Sequence, residues 1–114
     1  FDGLEQAVVE LERAVALGPD SPEVSFHLAM AYLRRDDSDD HLRAITALER
    51  VLALDPAKTD VYYQLGQLYL RDEHYDLARQ AWQRFVAHSQ DAERVARVRG
   101  WLEELEKSAG ANND

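Results

Sequence analysis

The sequence repeats itself, and no other property bounds its fold as tightly. Leu11, Glu12, Arg13, Ala16, Leu17 and Pro19 return as Leu48, Glu49, Arg50, Ala53, Leu54 and Pro56, a shift of 37 residues. Val24, Leu28, Tyr32, Leu33 and Arg34 return at the same shift as Val61, Leu65, Tyr69, Leu70 and Arg71. A second comparison, at a shift of 34, sets Ala44 on Ala78, Leu48 on Trp82, Arg50 on Arg84 and Val51 on Phe85. The difference of three is an insertion between Arg34 and Leu42, where Asp36, Asp37, Ser38, Asp39 and Asp40 form an acidic stretch. That acidic stretch is expected to be a solvated turn with an N-cap Asp ahead of the next helix.

Inside each unit the apolar spacing is helical. Val24, Leu28, Ala31 and Tyr32 form one stripe, and Ala44, Ile45, Leu48, Val51 and Leu52 the next. Val61, Tyr62, Leu65 and Tyr69 repeat the first, and Leu77, Ala78, Ala81, Trp82 and Phe85 the second. Gly18 and Pro19 close the first helix, Ser21 and Pro22 offer an N-cap and an N1 proline, and Asp55 with Pro56 marks the later junction. Six helices are predicted, over 3–17, 22–35, 40–54, 59–71, 75–88 and 91–107, within one domain over 1–108. Residues 109–114 read as a flexible polar tail.

Small residues fall where paired helices should cross, Ala29 with Ala44 and Gly66 with Ala78. Tyr32, Leu48, Tyr69 and Trp82 are expected to fill the wedge between successive pairs. A mid-helix glycine costs about 1 kcal/mol relative to Ala, so Gly66 is expected to serve packing. At 114 residues the chain is long enough for its own core, and 46% hydrophobic with 31% charged residues fits a folded chain.

The unit resembles the tetratricopeptide repeat, a helix-turn-helix of 34 residues with small, aromatic and proline positions at fixed offsets. Asp60 to Gln90 carries Tyr62, Leu65, Gly66, Tyr69, Tyr75, Ala78, Trp82 and Phe85 in the family's order. Pro22 to Pro56 is similar, with Ser25, Leu28, Ala29, Tyr32, Ala44, Leu48, Val51 and Pro56, interrupted by the insertion. Leu4, Ala7, Leu11, Ala14 and Pro19 resemble only the second helix of a preceding repeat, so the chain is expected to be part of a longer protein. The last predicted helix sets Val95, Val98, Leu102 and Leu105 against Glu93, Arg97, Arg99, Glu103, Glu104 and Lys107. That division is expected of a terminal cap. The resemblance implies an all-α, right-handed α-α superhelix whose concave face is lined by the first helix of each pair.

Peptide ligands of the family lie in that concave face. Carried onto this sequence, the groove positions are Phe26, Met30, Leu33 and Arg34 from one helix and Tyr63, Gln67, Leu70 and Arg71 from the next. Phe26, Met30 and Leu33 also fall at i, i+4 and i+7, offset from the packing stripe. The alternative reading of this stripe is cover by a neighbouring helix or a second copy. Some family members clamp the terminal carboxylate of chaperone tails with charged and amide side chains. Here Phe26, Met30 and Gln64 occupy the positions where that clamp is sought, so chaperone-tail recognition is not expected. Arg34 and Arg71 could pair with an acidic partner side chain, or serve only the helix dipole.

Other chemistry finds little support. His27, His41, His74 and His88 form no zinc spacing, and His41 and Ala47 stand where a calcium loop counted from Asp36 needs Gly and Glu. No phosphate loop or nucleophile elbow occurs. No enzyme, cofactor or metal is expected. Thirteen Lys and Arg against 22 Asp and Glu leave a net charge of −9. No nucleic-acid partner is therefore expected, although Arg94, Arg97 and Arg99 cluster and helical repeats can read RNA. No apolar run reaches the ~20 residues of a membrane helix, so no membrane insertion is expected. The absence of Cys excludes disulfides and thiolate sites without fixing a compartment. Cytoplasmic placement is the default; the alternative left open is a signal or anchor upstream of residue 1 on the parent protein. The expected function is a non-catalytic module, monomeric or weakly dimeric, that docks a partner's peptide or helix in its groove. The alternatives are a structural or self-assembling scaffold segment and an RNA-binding repeat.

Overall fold

The computed structural model describes residues 3–18 and 21–112. They form six α-helices: α1 (Gly3–Leu17), α2 (Pro22–Arg35), α3 (Asp40–Leu54), α4 (Thr59–Arg71), α5 (Tyr75–His88) and α6 (Ala92–Asn112). No strand occurs among the described residues. The first five helices begin and end where predicted. The sixth runs to Asn112 rather than 107, so Ala109 to Asn112, read as flexible tail, continue the helix. Asn113 and Asp114, like Pro19, lie outside the described residues. Contacts divide the chain, read above as one domain, into two compact units, residues 1–58 and 59–114.

In unit 1, Ser21 caps α2 by accepting the Val24 N–H at 3.3 Å, with Pro22 at the first helical position. The spacing of Leu28, Ala29, Ala31 and Tyr32 turns one face of α2 inward, and all four are buried. Ala29 and Ala44 are fully enclosed, which lets α2 and α3 pair closely, while Leu48 and Val51 fill the core beside them. Helix α1 packs on α2 through fully buried Val8 and through the Tyr32 hydroxyl, which donates to Glu12 Oε2 at 2.5 Å. Burial, reinforced by the Glu12 carboxylate, pushes the Tyr32 phenol up to about 12.

In unit 2 the corresponding crossing is made by a glycine and an indole. A Cβ placed on Gly66 would overlap Nε1, Cδ1 and Cε2 of Trp82, so the ring lies directly on the α4 backbone. The Trp82 Nε1–H points to the Tyr63 carbonyl at 3.4 Å. Trp82, Phe85 and Val98 form the buried centre, with Tyr62, Tyr63, Val95, Trp101, Leu102 and Leu105 packed around it. The glycine's propensity cost is thus offset by an aromatic contact that no larger residue allows.

The three-residue insertion is spread over the hairpin tip. Relative to α4, α2 has one extra residue, Arg35; relative to α5, α3 has one extra, Asp40; the connecting turn, residues 36–39, is one longer than residues 72–74. The acidic stretch is not wholly solvated. Asp40 is fully buried, and its carboxylate receives Arg35 Nε and Nη2 at 2.8 Å each, the Asp37 N–H at 2.9 Å and Arg43 Nη1 at 3.0 Å. The bidentate Arg35 bond holds the Asp40 carboxyl far below the usual carboxylate range, against the opposing effect of burial. Asp39 holds the N-cap position as expected but at φ 67°, and makes no side-chain cap bond.

Candidate functional site

The eight residues assigned to a binding groove divide between α2 in unit 1 and α4 in unit 2. On α2, Phe26, Met30 and Leu33 are half-buried, between the enclosed packing face and open solvent, and Arg34 is exposed. They follow one another at i, i+4 and i+7 because the helix must aim Leu28, Ala29 and Tyr32 at α3 and α1. The result is an apolar strip bordered by a guanidinium.

On α4, Gln67, Leu70 and Arg71 are exposed, and Leu70 keeps 37% of its surface open. Tyr63 does not share their exposure. Its ring lies 5.2 Å from Phe85 and 5.6 Å from Trp101, centroid to centroid. Its hydroxyl accepts Arg97 Nη1 at 3.0 Å, and the Arg94 guanidinium lies 5.0 Å over its face. The position expected to line the groove is therefore a junction between α4 and α6. The same contacts engage two of the three clustered arginines, Arg94 also lying 3.5 Å from Asp91 and 3.9 Å from Asp60. Arg94 is thus held between an aromatic face and two carboxylates.

Gln64, assigned above to the vacant clamp, is half-buried, and its Oε1 is enclosed without a hydrogen-bond donor. Trp101 is the residue that the sequence reading passes over. It packs on Trp82 at 5.1 Å and on Tyr63, and faces a cleft of about 760 Å³ shared with Leu70, Tyr75 and Leu105. Its signal was available: Trp101 falls at i+3 from Val98 and i−4 from Leu105. Among the described residues, no group of His, Asp and Glu is arranged to hold a metal ion, and no helix is long and apolar enough to cross a membrane.

The arrangement offers apolar strips with a few polar termini. The chain is similar to the MamA protein in two crystal structures. One superposes with a TM-score of 0.71 at 25% identity, over 91% of this chain and 63% of that one. The other gives 0.65 at 26% identity, over 91% and 59%. This chain therefore spans less than two thirds of the length of either. No curated protein matches the sequence. Two sequence models of the tetratricopeptide repeat match, one over residues 37–102 and one over residues 3–58. Repeats of this kind are protein-interaction or scaffold modules and are generally non-catalytic. With these models together spanning residues 3–102, this chain belongs to the tetratricopeptide repeat family.

Proposed function

We propose that the chain is a non-catalytic docking module that holds a peptide or helix of a partner protein against the exposed faces of its first helices. The observation that carries this reading is the Phe26, Met30 and Leu33 strip, which stands outside the enclosed packing face of α2 and is bordered by exposed Arg34. Gln67, Leu70 and Arg71 supply the corresponding contacts on α4. Covering these side chains contributes ~25 cal/mol per Å² of apolar surface buried, before ordering costs. One arginine on each helix would orient an acidic side chain. No cofactor enters this function. The engagement of Arg94 and Arg97 with Tyr63 and nearby carboxylates speaks against a cationic track for nucleic acid.

The test replaces Met30 and Arg34 together, Met30→Asp with Arg34→Glu, and compares polypeptides retained by immobilised wild type and variant. The expected result is loss of specific retention with helical circular dichroism and melting unchanged. Equal retention by a folded variant would remove the α2 strip from the function.

A further inference from the structure

Unit 2 carries a cleft, between α5 and α6, that shares only the border residue Leu70 with the docking reading. We propose that it seats the apolar face of a cationic amphipathic helix from a partner protein. Helix α5 contributes Tyr75, Arg79 and Trp82, and α6 contributes Trp101, Leu105 and Ala109, in each case one helical stripe. The stripes touch where Trp82 meets Trp101. They do not close along their length: Tyr75 stays 49% exposed, and about 760 Å³ remains between them, with Leu70 at its border. From Trp101 to Ala109 the wall runs roughly 12 Å, at about 1.5 Å per residue. Two helical turns of an incoming segment match that length. Two apolar helix stripes diverging from an aromatic contact form the groove into which a third helix packs.

Charge selects the kind of helix. Asp76 stands on the α5 wall and Glu104 on the α6 wall, against one lining cation, Arg79, which is already bonded to Asp76 at 2.9 Å. Glu104 also meets Lys107 at 3.7 Å, but both side chains are about three-quarters exposed, and such a pair is readily exchanged. Two carboxylates against one guanidinium leave the cleft net negative, within a chain of net charge −9. The open face of Tyr75 likewise favours a cation above it. A segment with aliphatic anchors flanked by Lys or Arg satisfies both apolar walls and rim, whereas an acidic one meets like charge.

Both tryptophans of the chain line this cleft, so their emission reports its occupancy directly. The probes are two synthetic amphipathic helices of about 18 residues, roughly five turns, one of Leu and Lys and the other with Glu in place of every Lys. The Leu/Lys peptide is expected to shift tryptophan emission saturably, and the Leu/Glu peptide to bind at least about tenfold more weakly. Glu104→Lys, on the rim, and Ala109→Phe, which fills the mouth, should each weaken the Leu/Lys peptide about fivefold or more. The Met30→Asp, Arg34→Glu variant should bind it as wild type does, which separates this cleft from the α2 strip. Unchanged binding by folded Glu104→Lys and Ala109→Phe would overturn the proposal as general attraction to an acidic protein. Concentration-dependent sedimentation without peptide, abolished by Ala109→Phe, would overturn it in favour of a second copy as occupant.

Discussion

The two hairpins, α2 with α3 and α4 with α5, share one crossing plan and fasten it by opposite means. In unit 1 the crossing is aliphatic, alanine on alanine beside Leu48, and the tip is locked by the buried Asp40 carboxylate under three donors from Arg35 and Arg43. In unit 2 the crossing is an indole laid on a glycine, and the tip carries a His74 to Asp72 contact at 2.9 Å and short backbone bonds. One hairpin concentrates its specificity in charge at the end, the other in shape at the middle. Repeat identity therefore fixes where helices cross but leaves open which physical force secures them.

Asp40→Ala should have the largest effect, about 3–5 kcal/mol, because it strands the largely enclosed Arg35 without its main counter-charge. Thermal unfolding measures the loss, and amide exchange should place it in α2 and α3. Acid tests the same contact without mutation. Because the folded pKa of Asp40 is depressed, its contribution is complete at neutral pH and is lost as pH falls below about 4 and towards the folded value. Protection of α2 and α3 should therefore decline before the emission of Trp82 and Trp101 changes; simultaneous loss would break the contrast between the units. At the alkaline end, the raised Tyr32 pKa makes its contribution fade as pH rises from about 10 towards 12.

Gly66→Ala should cost about 1–3 kcal/mol through overpacking, since its methyl meets the rigid Trp82 ring. It should also shift tryptophan emission. Gly100→Ala, in open space on α6, should instead stabilise by about 0.5–1 kcal/mol. Opposite signs for one substitution on neighbouring helices would sharpen the assignment of Gly66 to packing. A similar gain, measured by chemical denaturation, is expected from Glu73→Gly, which relieves a positive φ of 61° at about 0.5–1 kcal/mol.

Helix periodicity, caps and the repeat made both ends of five helices and both crossings legible in the sequence, because each depends on neighbours within a few residues. The acidic tip was not. A run of aspartates signals solvent, and only the fold shows that Arg35, five residues away, returns to enclose Asp40. The engagement of Tyr63 was hidden for a related reason: its ring packs against Phe85 of α5 and Trp101 of α6, and those contacts depend on packing between elements. The end of α6 was missed because Ser108, Ala109 and Gly110 carry no stop signal stronger than weak propensity.

The distribution of the insertion has a practical corollary for anyone grafting hairpins between arrays. Because Arg35 and Asp40 are themselves the additional residues of their helices, the lengthened tip travels with its own clasp. Trimming residues 35–40 to the shorter form should be done as one exchange, since removing either end alone leaves the other without its bidentate partner.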